Sequence, residues 1–291
     1  MRVGLVGTGH WAAINHAPVI AEKEGLVFEG LWGRSPAATA ELAHKFGVQA
    51  FQSFEQLVQS VDIVQFAVPP AVQAPLAVHA AHAGKHLLLE KPLALSTADA
   101  ESLRIAVEQS GVAALVFLPA RFRPETERWI TEMSGGNWTG ASGQWFTQAI
   151  SGAQSPWSGS AWRRENGGLW DLGPHALSIL IPILGKARNG CSLQGRSDLM
   201  HLLLEHDDQR TSSTSFTLCA PSAACREELS FWGENGVFHM PPVVTGPQES
   251  LGIALTELCD LVESGQRAHA CDVRFGRDIV EILEAATRGN T

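Results

Sequence analysis

Long apolar runs are missing from this sequence, as are basic tracts and paired cysteines. No apolar stretch approaches the roughly 18 residues of a membrane-spanning helix, so we expect no membrane segment. A formal net charge of −9 without a basic tract argues against nucleic acid as a partner. The five cysteines form no CxxC pair. We therefore expect reduced core thiols, and neither a disulfide framework nor a metal site.

The 291 residues that are present are sufficient for two domains, and their 45% apolar and 18% charged content is ordinary for a globular protein. A strand is predicted to begin at Val3, which leaves no room for a signal peptide. Together with the cysteine usage, this predicts a cytoplasmic location.

A glycine-rich turn follows the first predicted strand, Val3–Val6, and opens a helical stretch. Its GxGxxA spacing is typical of a dinucleotide-binding turn: the first glycine permits the tight bend, the second lets the backbone approach a pyrophosphate, and the alanine keeps the helix close to the sheet. The helix N-terminus offers free N–H groups to the phosphates. The candidate cofactor-binding residues here are Gly7, Thr8, Gly9, His10, Trp11 and Ala12.

The second predicted strand, Val27–Trp32, ends on Gly33, Arg34 and Ser35. NAD enzymes usually place an acidic residue here for the ribose 2′-hydroxyl, and none is present. Arg34 and Ser35 are suited to a 2′-phosphate instead, which favours NADP(H) while leaving NAD(H) possible. Alternatively, Arg34 is a solvated turn residue and Ser35 caps the next helix; both interpretations can hold together.

Strands and helices alternate as far as residue 118, which is typical of a Rossmann domain, a doubly wound parallel sheet with helices on both faces. In such a sheet the residues just past the carboxyl end of each strand face the ligand crevice. Val68 and Pro69 occupy one such position, either over a ribose or as a plain loop. The predicted strands are 3–6, 27–32, 48–51, 62–67, 86–89 and 112–118.

A run of strands follows residue 118, including one predicted for 143–150, and two helices close the chain at about 248–264 and 273–288. Strands in succession favour antiparallel pairing. We therefore predict an α/β protein: a Rossmann domain at 1–118, and an α+β domain with a large, mostly antiparallel open sheet at 119–291.

Two further stretches carry ionisable groups suited to proton transfer. Glu90 and Lys91 follow the predicted strand 86–89, either as a surface turn or as the working end of a site. Asp171 and His175 are four residues apart, so on a helix they share one face, where a carboxylate orients an imidazole. The alternative is that Asp171 caps the helix and His175 is a core residue.

Aromatic residues are unevenly supplied: there are nine tryptophans and no tyrosine. Trp162 and Trp170 flank the Asp171 stretch, and either ring can stack on a sugar or aromatic substrate or pack in a sheet face or dimer interface. Arg163 can bind a substrate or pin the glycine pair Gly167-Gly168.

Taken together, three motifs resemble the glucose–fructose oxidoreductase / inositol dehydrogenase family, known as Gfo/Idh/MocA. They are GLVGTGHWA at 4–12, GKHLLLEKP at 84–92 and GGLWDLGPH at 167–175. The resemblance covers essentially the whole chain, and its motifs specify the family better than any substrate.

The resemblance implies roles for these residues. Lys91 binds the reacting oxygen beside the nicotinamide, His175 is the general acid/base and Asp171 positions it, whereas Glu90 supports the nicotinamide end of the cofactor. It also makes Lys91–Pro92 a candidate cis peptide. Two positions depart from the family pattern: Gln73, in the cofactor pocket, replaces a common histidine, and Ser178 replaces a common aspartate.

The sequence therefore predicts an NAD(P)-dependent oxidoreductase that transfers a hydride between the nicotinamide and a secondary alcohol or ketone of a sugar, polyol or related small molecule. The candidate substrate-binding residues are Lys91, Trp162, Arg163, Asp171 and His175. A homodimer or homotetramer through the second sheet is expected. The alternative is a cofactor-bound but non-catalytic sensor or scaffold on the same fold.

Overall fold

The structure, a computed structural model, describes residues 1–152 and 154–288. The chain divides into two compact units: Met1–Phe122 with Thr245–Asp278, and Arg123–Val244 with the segment that begins at Ile279. None of the helices in the described residues is both long and apolar enough to cross a membrane. The functional division at residues 118 and 119 stays a prediction, since these units are defined by packing alone.

Six strands form the sheet of the first unit: β1 (Arg2–Val6), β2 (Val27–Trp32), β3 (Gln49–Ala50), β4 (Ile63–Phe66), β5 (His86–Glu90) and β6 (Ala114–Phe117). They are parallel and lie in the order β3-β2-β1-β4-β5-β6. This is a doubly wound order, with the chain starting centrally and moving outward on both sides, and it confirms the predicted Rossmann architecture. The strands β1, β4, β5 and β6 are almost entirely buried, as expected of a sheet covered on both faces.

The helices of the described residues are α1 (Ala17–Glu22), α2 (Pro36–Phe46), α3 (Phe54–Ser60), α4 (Pro70–His82), α5 (Thr97–Ser110), α6 (Pro124–Met133), α7 (Ala161–Leu184), α8 (Pro247–Ser264) and α9 (Val273–Arg288). A π-helical turn, Ala12–His16, leads directly into α1. Ser35, Ser53 and Ser96 cap α2, α3 and α5, because each hydroxyl accepts the backbone N–H three residues on.

The second sheet contains β7 (Trp138–Phe146), β8 (Ala187–Gln194), β9 (Met200–His206), β10 (Thr211–Thr217), β11 (Arg226–Gly233) and β12 (Gly236–His239). Their order is β12-β11-β7-β10-β9-β8. Only the pairing of β7 with β10 is parallel among these strands, and the other pairs are antiparallel. The mostly antiparallel sheet is therefore confirmed, and α7 packs against its central strands.

The strand predicted at 143–150 was misplaced, because β7 begins at Trp138 and ends at Phe146. Glycines obscured its start, since glycine weakens a strand pattern. In the sheet these glycines serve close packing: a Cβ at Gly140 would lie 2.8 Å from Cζ2 of Trp232, and one at Gly143 would lie 2.9 Å from Cδ1 of Leu229.

The cysteines are only partly the core thiols that were expected. Cys271 is buried, whereas Cys191 and Cys225 are exposed. That expectation was therefore wrong for these two residues, which lie in or beside strands of the second sheet where alternate side chains face outward.

Candidate active site

The glycine turn lies at the carboxyl edge of the first sheet. Gly7 has a φ of +129°, and a Cβ there would come within 2.4 Å of the carbonyl oxygen of Ala67. Only glycine fits this bend. Gly9 differs, because a Cβ on it would meet no atom within 4 Å. Its missing side chain therefore leaves open space at the helix start, which suits the close approach of a pyrophosphate.

The turn after β2 packs against the glycine turn. A Cβ on Gly33 would lie 2.7 Å from Cγ2 of Thr8, so the two turns are in close contact. Arg34 and Ser35 are exposed. The hydroxyl of Ser35 accepts the N–H of Ala38 at 3.4 Å, so the helix-capping interpretation of Ser35 holds. Its hydroxyl hydrogen is still able to donate to a phosphate.

The turn after β4 adjoins the same place. Cγ1 of Val68 would lie 3.2 Å from a Cβ on Gly7. Pro69 follows, and α4 begins immediately after it. The ends of β1, β2 and β4 thus bring the three predicted cofactor turns together.

The side chain of Gln73 forms hydrogen bonds to the backbone at the end of β5, and Gln73 has no exposed surface. The Gln73 side chain accepts the backbone N–H of Glu90 at 2.8 Å and donates to its carbonyl oxygen at 2.7 Å. It also donates to the carbonyl oxygen of Leu93 at 3.2 Å. The amide of Gln73 therefore replaces strand pairing where β5 ends. The peptide bond from Lys91 to Pro92 is cis, as expected.

The Glu90 carboxylate is 9% exposed and gathers donors from separate parts of the first unit. Its Oε1 accepts the indole N–H of Trp11 at 2.7 Å and lies 2.9 Å from Nε2 of His16. Its Oε2 accepts the backbone N–H of Lys91 at 3.2 Å. Nδ1 of His16 lies 2.8 Å from Nε2 of Gln65. Glu90 thus connects the helix of the glycine turn to the residue that carries the candidate lysine.

In the second unit, the candidate residues lie on α7, which bends at Gly167. This glycine has φ +67° and ψ −167°, and helical geometry resumes after it. A Cβ on Gly168 would lie 3.0 Å from the backbone of Phe216 and Thr217, so the glycine pair lets α7 approach β10. Asp171 and His175 both lie in the resumed helix, at 168–184, and share one face.

Asp171 forms a buried ion pair with Arg163. Oδ2 of Asp171 accepts Nε–H of Arg163 at 2.8 Å, and the two side chains are 7% and 16% exposed. The guanidinium also lies over two indole rings, 4.4 Å from the centroid of Trp157 and 4.8 Å from that of Trp162. Arg163 therefore fixes Asp171 and the segment before the bend.

Trp170 and Ser178 have structural roles in the second unit. Trp170 is buried, and its indole N–H donates to the hydroxyl of Thr287 at 3.1 Å, so the packing alternative applies to it. The hydroxyl of Ser178 donates to the carbonyl oxygen of His175 at 2.7 Å within α7.

A thiol lies just beyond β10. Burial, and then the charge of Asp198, raise the pKa of Cys219 to about 11. The thiol therefore stays protonated at neutral pH, and this is unfavourable for a nucleophile.

The sequence patterns predicted no role for two buried polar residues of the first unit, His16 and Gln65. Gln65 carried a signal, since it is a lone amide within the apolar strand β4. His16 carried less, because the π-helical turn that directs it to Glu90 has no sequence signature of its own.

Comparison with known proteins relates residues 1–118 to the family model described as "Oxidoreductase family, NAD-binding Rossmann fold". UDP-N-acetylglucosamine 3-dehydrogenase of Acidithiobacillus ferrooxidans is 34% identical over 103 residues, which is 35% of this chain and 32% of that protein. Levoglucosan dehydrogenase of Pseudarthrobacter phenanthrenivorans is 27% identical over 163 residues, 52% of this chain and 41% of that protein. The chain thus spans well under two thirds of the length of these relatives.

Solved structures agree with the fold over nearly the full chain. Levoglucosan dehydrogenase in complex with NADH and L-sorbose superposes with a TM-score of 0.85 at 18% identity, covering 99% of this chain and 96% of that one. At this identity the likeness concerns the fold. Residues 1–118 thus match the Gfo/Idh/MocA oxidoreductase family model, and the chain as a whole has the fold of these solved structures.

Proposed function

We propose that this chain is an NADP(H)-dependent oxidoreductase that transfers a hydride between the nicotinamide and a secondary alcohol, or the corresponding ketone, of a sugar, polyol or related small molecule. The observation that carries the proposal is the hydrogen bond from Trp11 to Glu90, because it joins the dinucleotide turn to the strand end that bears Lys91. Residues 1–118 would bind the cofactor, and residues 119–291 would bind the substrate and mediate assembly.

The residues at the sheet edge fit a dinucleotide. The space left by Gly9 would accommodate the pyrophosphate, and free N–H groups at the helix start would bond to it. Gly33, Arg34 and Ser35 would surround the adenosine ribose, with the planar guanidinium of Arg34 binding a 2′-phosphate. When bound, the nicotinamide supplies the hydride acceptor or donor.

Three side chains would handle the proton. Lys91 binds the reacting oxygen, and His175 accepts its proton during alcohol oxidation or returns it during ketone reduction. Asp171 orients the imidazole and stabilises its protonated form. The ion pair with Arg163 supports this role, because it holds the Asp171 carboxylate in one orientation.

The substrate side of the proposal rests on α7 and the loop before it. Because Arg163 is engaged by Asp171, its contribution would be to position that carboxylate, and Trp162 would present an indole surface to the substrate. The relatives named above act on sugar derivatives, to judge from their names, and this favours a polyhydroxylated substrate.

Turnover with NADP⁺ on a panel of sugars and polyols tests the function. Lys91→Ala should lower kcat by about 10²- to 10⁴-fold, the range for a group that assists proton transfer. A wild-type protein that binds NADPH but oxidises no member of the panel, and reduces none of the matching ketones, would support the sensor instead.

The open face of the second sheet supports a homodimer or homotetramer. Leu193 and Leu203 share this face and are 68% and 52% exposed. A groove of about 470 Å³ lies beside them, lined in part by Cys191 and Trp232. Light scattering of the purified protein tests this assembly. The exposed thiols of Cys191 and Cys225 support a cytoplasmic location, which cell fractionation tests.

A further inference from the structure

A buried histidine, His16, contacts the Glu90 carboxylate, although the proposed hydride transfer does not itself require this contact. His16 is 1% exposed, yet it lies 2.9 Å from Oε1 of Glu90 and 2.8 Å from Nε2 of Gln65. Gln65 has no exposed surface. Burying three polar side chains is unfavourable unless they bond one another, so their mutual placement needs an explanation.

The helix geometry at this point is specific to the contact. Trp11 and His16 are five residues apart, and in a regular α-helix such positions point about 140° away from each other. The π-helical turn Ala12–His16 closes one residue later than an α-turn, so both side chains reach the same oxygen of Glu90. Single π-turns occur frequently at functional sites.

The hydrogen-bond partners also define the state of the imidazole. The amide nitrogen of Gln65 can only donate, so Nδ1 of His16 accepts and the ring hydrogen lies on Nε2, directed at Glu90. Oε1 of Gln65 has no partner among the described residues. Because an unpaired buried carbonyl costs free energy, the amide is better explained by its bond to His16 than by the packing of β4.

We propose that His16 is a positioning residue for the nicotinamide site: it holds the Glu90 carboxylate in the orientation that joins Trp11 of the glycine turn to the backbone N–H of Lys91. This inference rests on the proposed function. Gln73 fixes the backbone of Glu90, and His16 fixes its side chain. Without the imidazole, the carboxylate is free to rotate away from the lysine N–H, and the two halves of the dinucleotide site are no longer linked.

Two nearly isosteric variants separate positioning from simple burial. In His16→Gln the amide nitrogen takes the place of Nε2 and still donates to Glu90. In His16→Asn the amide oxygen takes the place of Nδ1 and still accepts from Gln65, whereas the donor to Glu90 is lost. Both variants bury one amide, and their stabilities should be similar. The readouts are the Kd for NADPH and NADH by calorimetry, kcat and KM, and the indole N–H resonance of Trp11, assigned with Trp11→Phe.

His16→Asn should raise the Kd for the dinucleotide about 10-fold and lower kcat, as expected for the loss of a hydrogen bond to a charged group. His16→Gln should stay within about threefold of the wild type, since it keeps that bond. The Trp11 resonance should move in His16→Asn and remain in place in His16→Gln. Equal values for the two variants in all of these measurements would overturn the inference.

Two controls complete the experiment. His206→Gln alters another buried histidine, which bonds to Ser212 and Gly185 in the second unit, and it should leave the Kd unchanged. If His16→Asn fails to fold, Gln65→Met decides instead: it must shift the Trp11 resonance and raise the Kd, and a wild-type response overturns the inference. A wild-type chain that binds no dinucleotide refutes the proposed function, and the Trp11 resonance then decides the link to Glu90 separately.

Discussion

Two buried carboxylates, one in each unit, are held in different ways. Glu90 of the first unit is surrounded by an indole, an imidazole and a backbone N–H that come from separate elements. Asp171 of the second unit is paired with Arg163, which precedes it by eight residues on the same bent helix. The first arrangement exists only after the parallel sheet has formed, whereas the second is built within one segment of chain.

The ion pair of the second unit should be the most sensitive point. Arg163→Met leaves the Asp171 carboxylate buried without its cation, and we expect a loss of about 3 kcal/mol in the free energy of unfolding, toward the lower end for buried pairs because Arg163 is 16% exposed. Urea denaturation measures this loss.

The double variant Arg163→Met/Asp171→Asn is the matched control. It removes the uncompensated charge, so it should regain at least half of the lost stability. A single variant as stable as the wild type would show that the pair contributes nothing and would break the comparison with Glu90.

Arg34 extends the comparison to a charge that is exposed instead of buried. Arg34→Asp should raise the Kd for NADPH by about 10- to 100-fold, because a charge-assisted contact to phosphate is lost and a repulsion is introduced. NADH binding should change little, and stability should stay within about 0.5 kcal/mol of the wild type. Equal weakening of both cofactors would refute the preference for NADP(H).

One glycine in each unit separates effects on stability from effects on cofactor binding. Gly167→Ala places a side chain at φ +67° and ψ −167°, a region essentially restricted to glycine, and we expect a loss of about 1–3 kcal/mol in stability. Gly9→Ala has space for its methyl group, so it should keep the stability and raise the Kd for the dinucleotide. Thermal melts and calorimetry distinguish the two, and a destabilised Gly9→Ala protein would contradict this assignment.

Glu90→Gln should destabilise the protein much less than Arg163→Met. Its remaining carbonyl oxygen is able to keep the bonds from Trp11 and His16, and only the 3.2 Å bond from the Lys91 N–H is lost. We expect a cost of about 1 kcal/mol in urea denaturation. A loss as large as that of Arg163→Met would mean that the two carboxylates are held alike.

Sequence patterns predicted the locally determined parts well. The strand Val27–Trp32 was predicted to the residue, since an apolar run defines it, and the helix cap proposed for Ser35 was confirmed. The start of strand β7 was predicted too late, because Gly140 weakens the strand pattern. Gly140 is needed for close packing against Trp232 on another strand, and the local sequence does not show this contact. The link from His16 to Glu90 spans 74 residues and a π-helical turn, and no local pattern contains it.

The candidate site residues also divide into those with contacts near in sequence and those with contacts to distant residues. Spacing predicted that Asp171 and His175 share a helix face, but it did not predict the ion pair of Asp171 with Arg163, which lies eight residues earlier and across the bend at Gly167. The role of Gln73 was not predicted either, because its amide bonds to the backbone of a strand 17 residues away. The catalytic roles of Lys91, Asp171 and His175 stay predictions.

A crystal structure of the protein with NADP⁺ and a bound polyol tests the central claim most directly. We predict that the amine of Lys91 and the imidazole of His175 both contact the reacting hydroxyl, whose carbon lies about 3–3.5 Å from C4 of the nicotinamide. An imidazole directed away from that ring, with Asp171 and Arg163 still paired, would contradict the account and leave a dinucleotide-binding fold without the proposed chemistry.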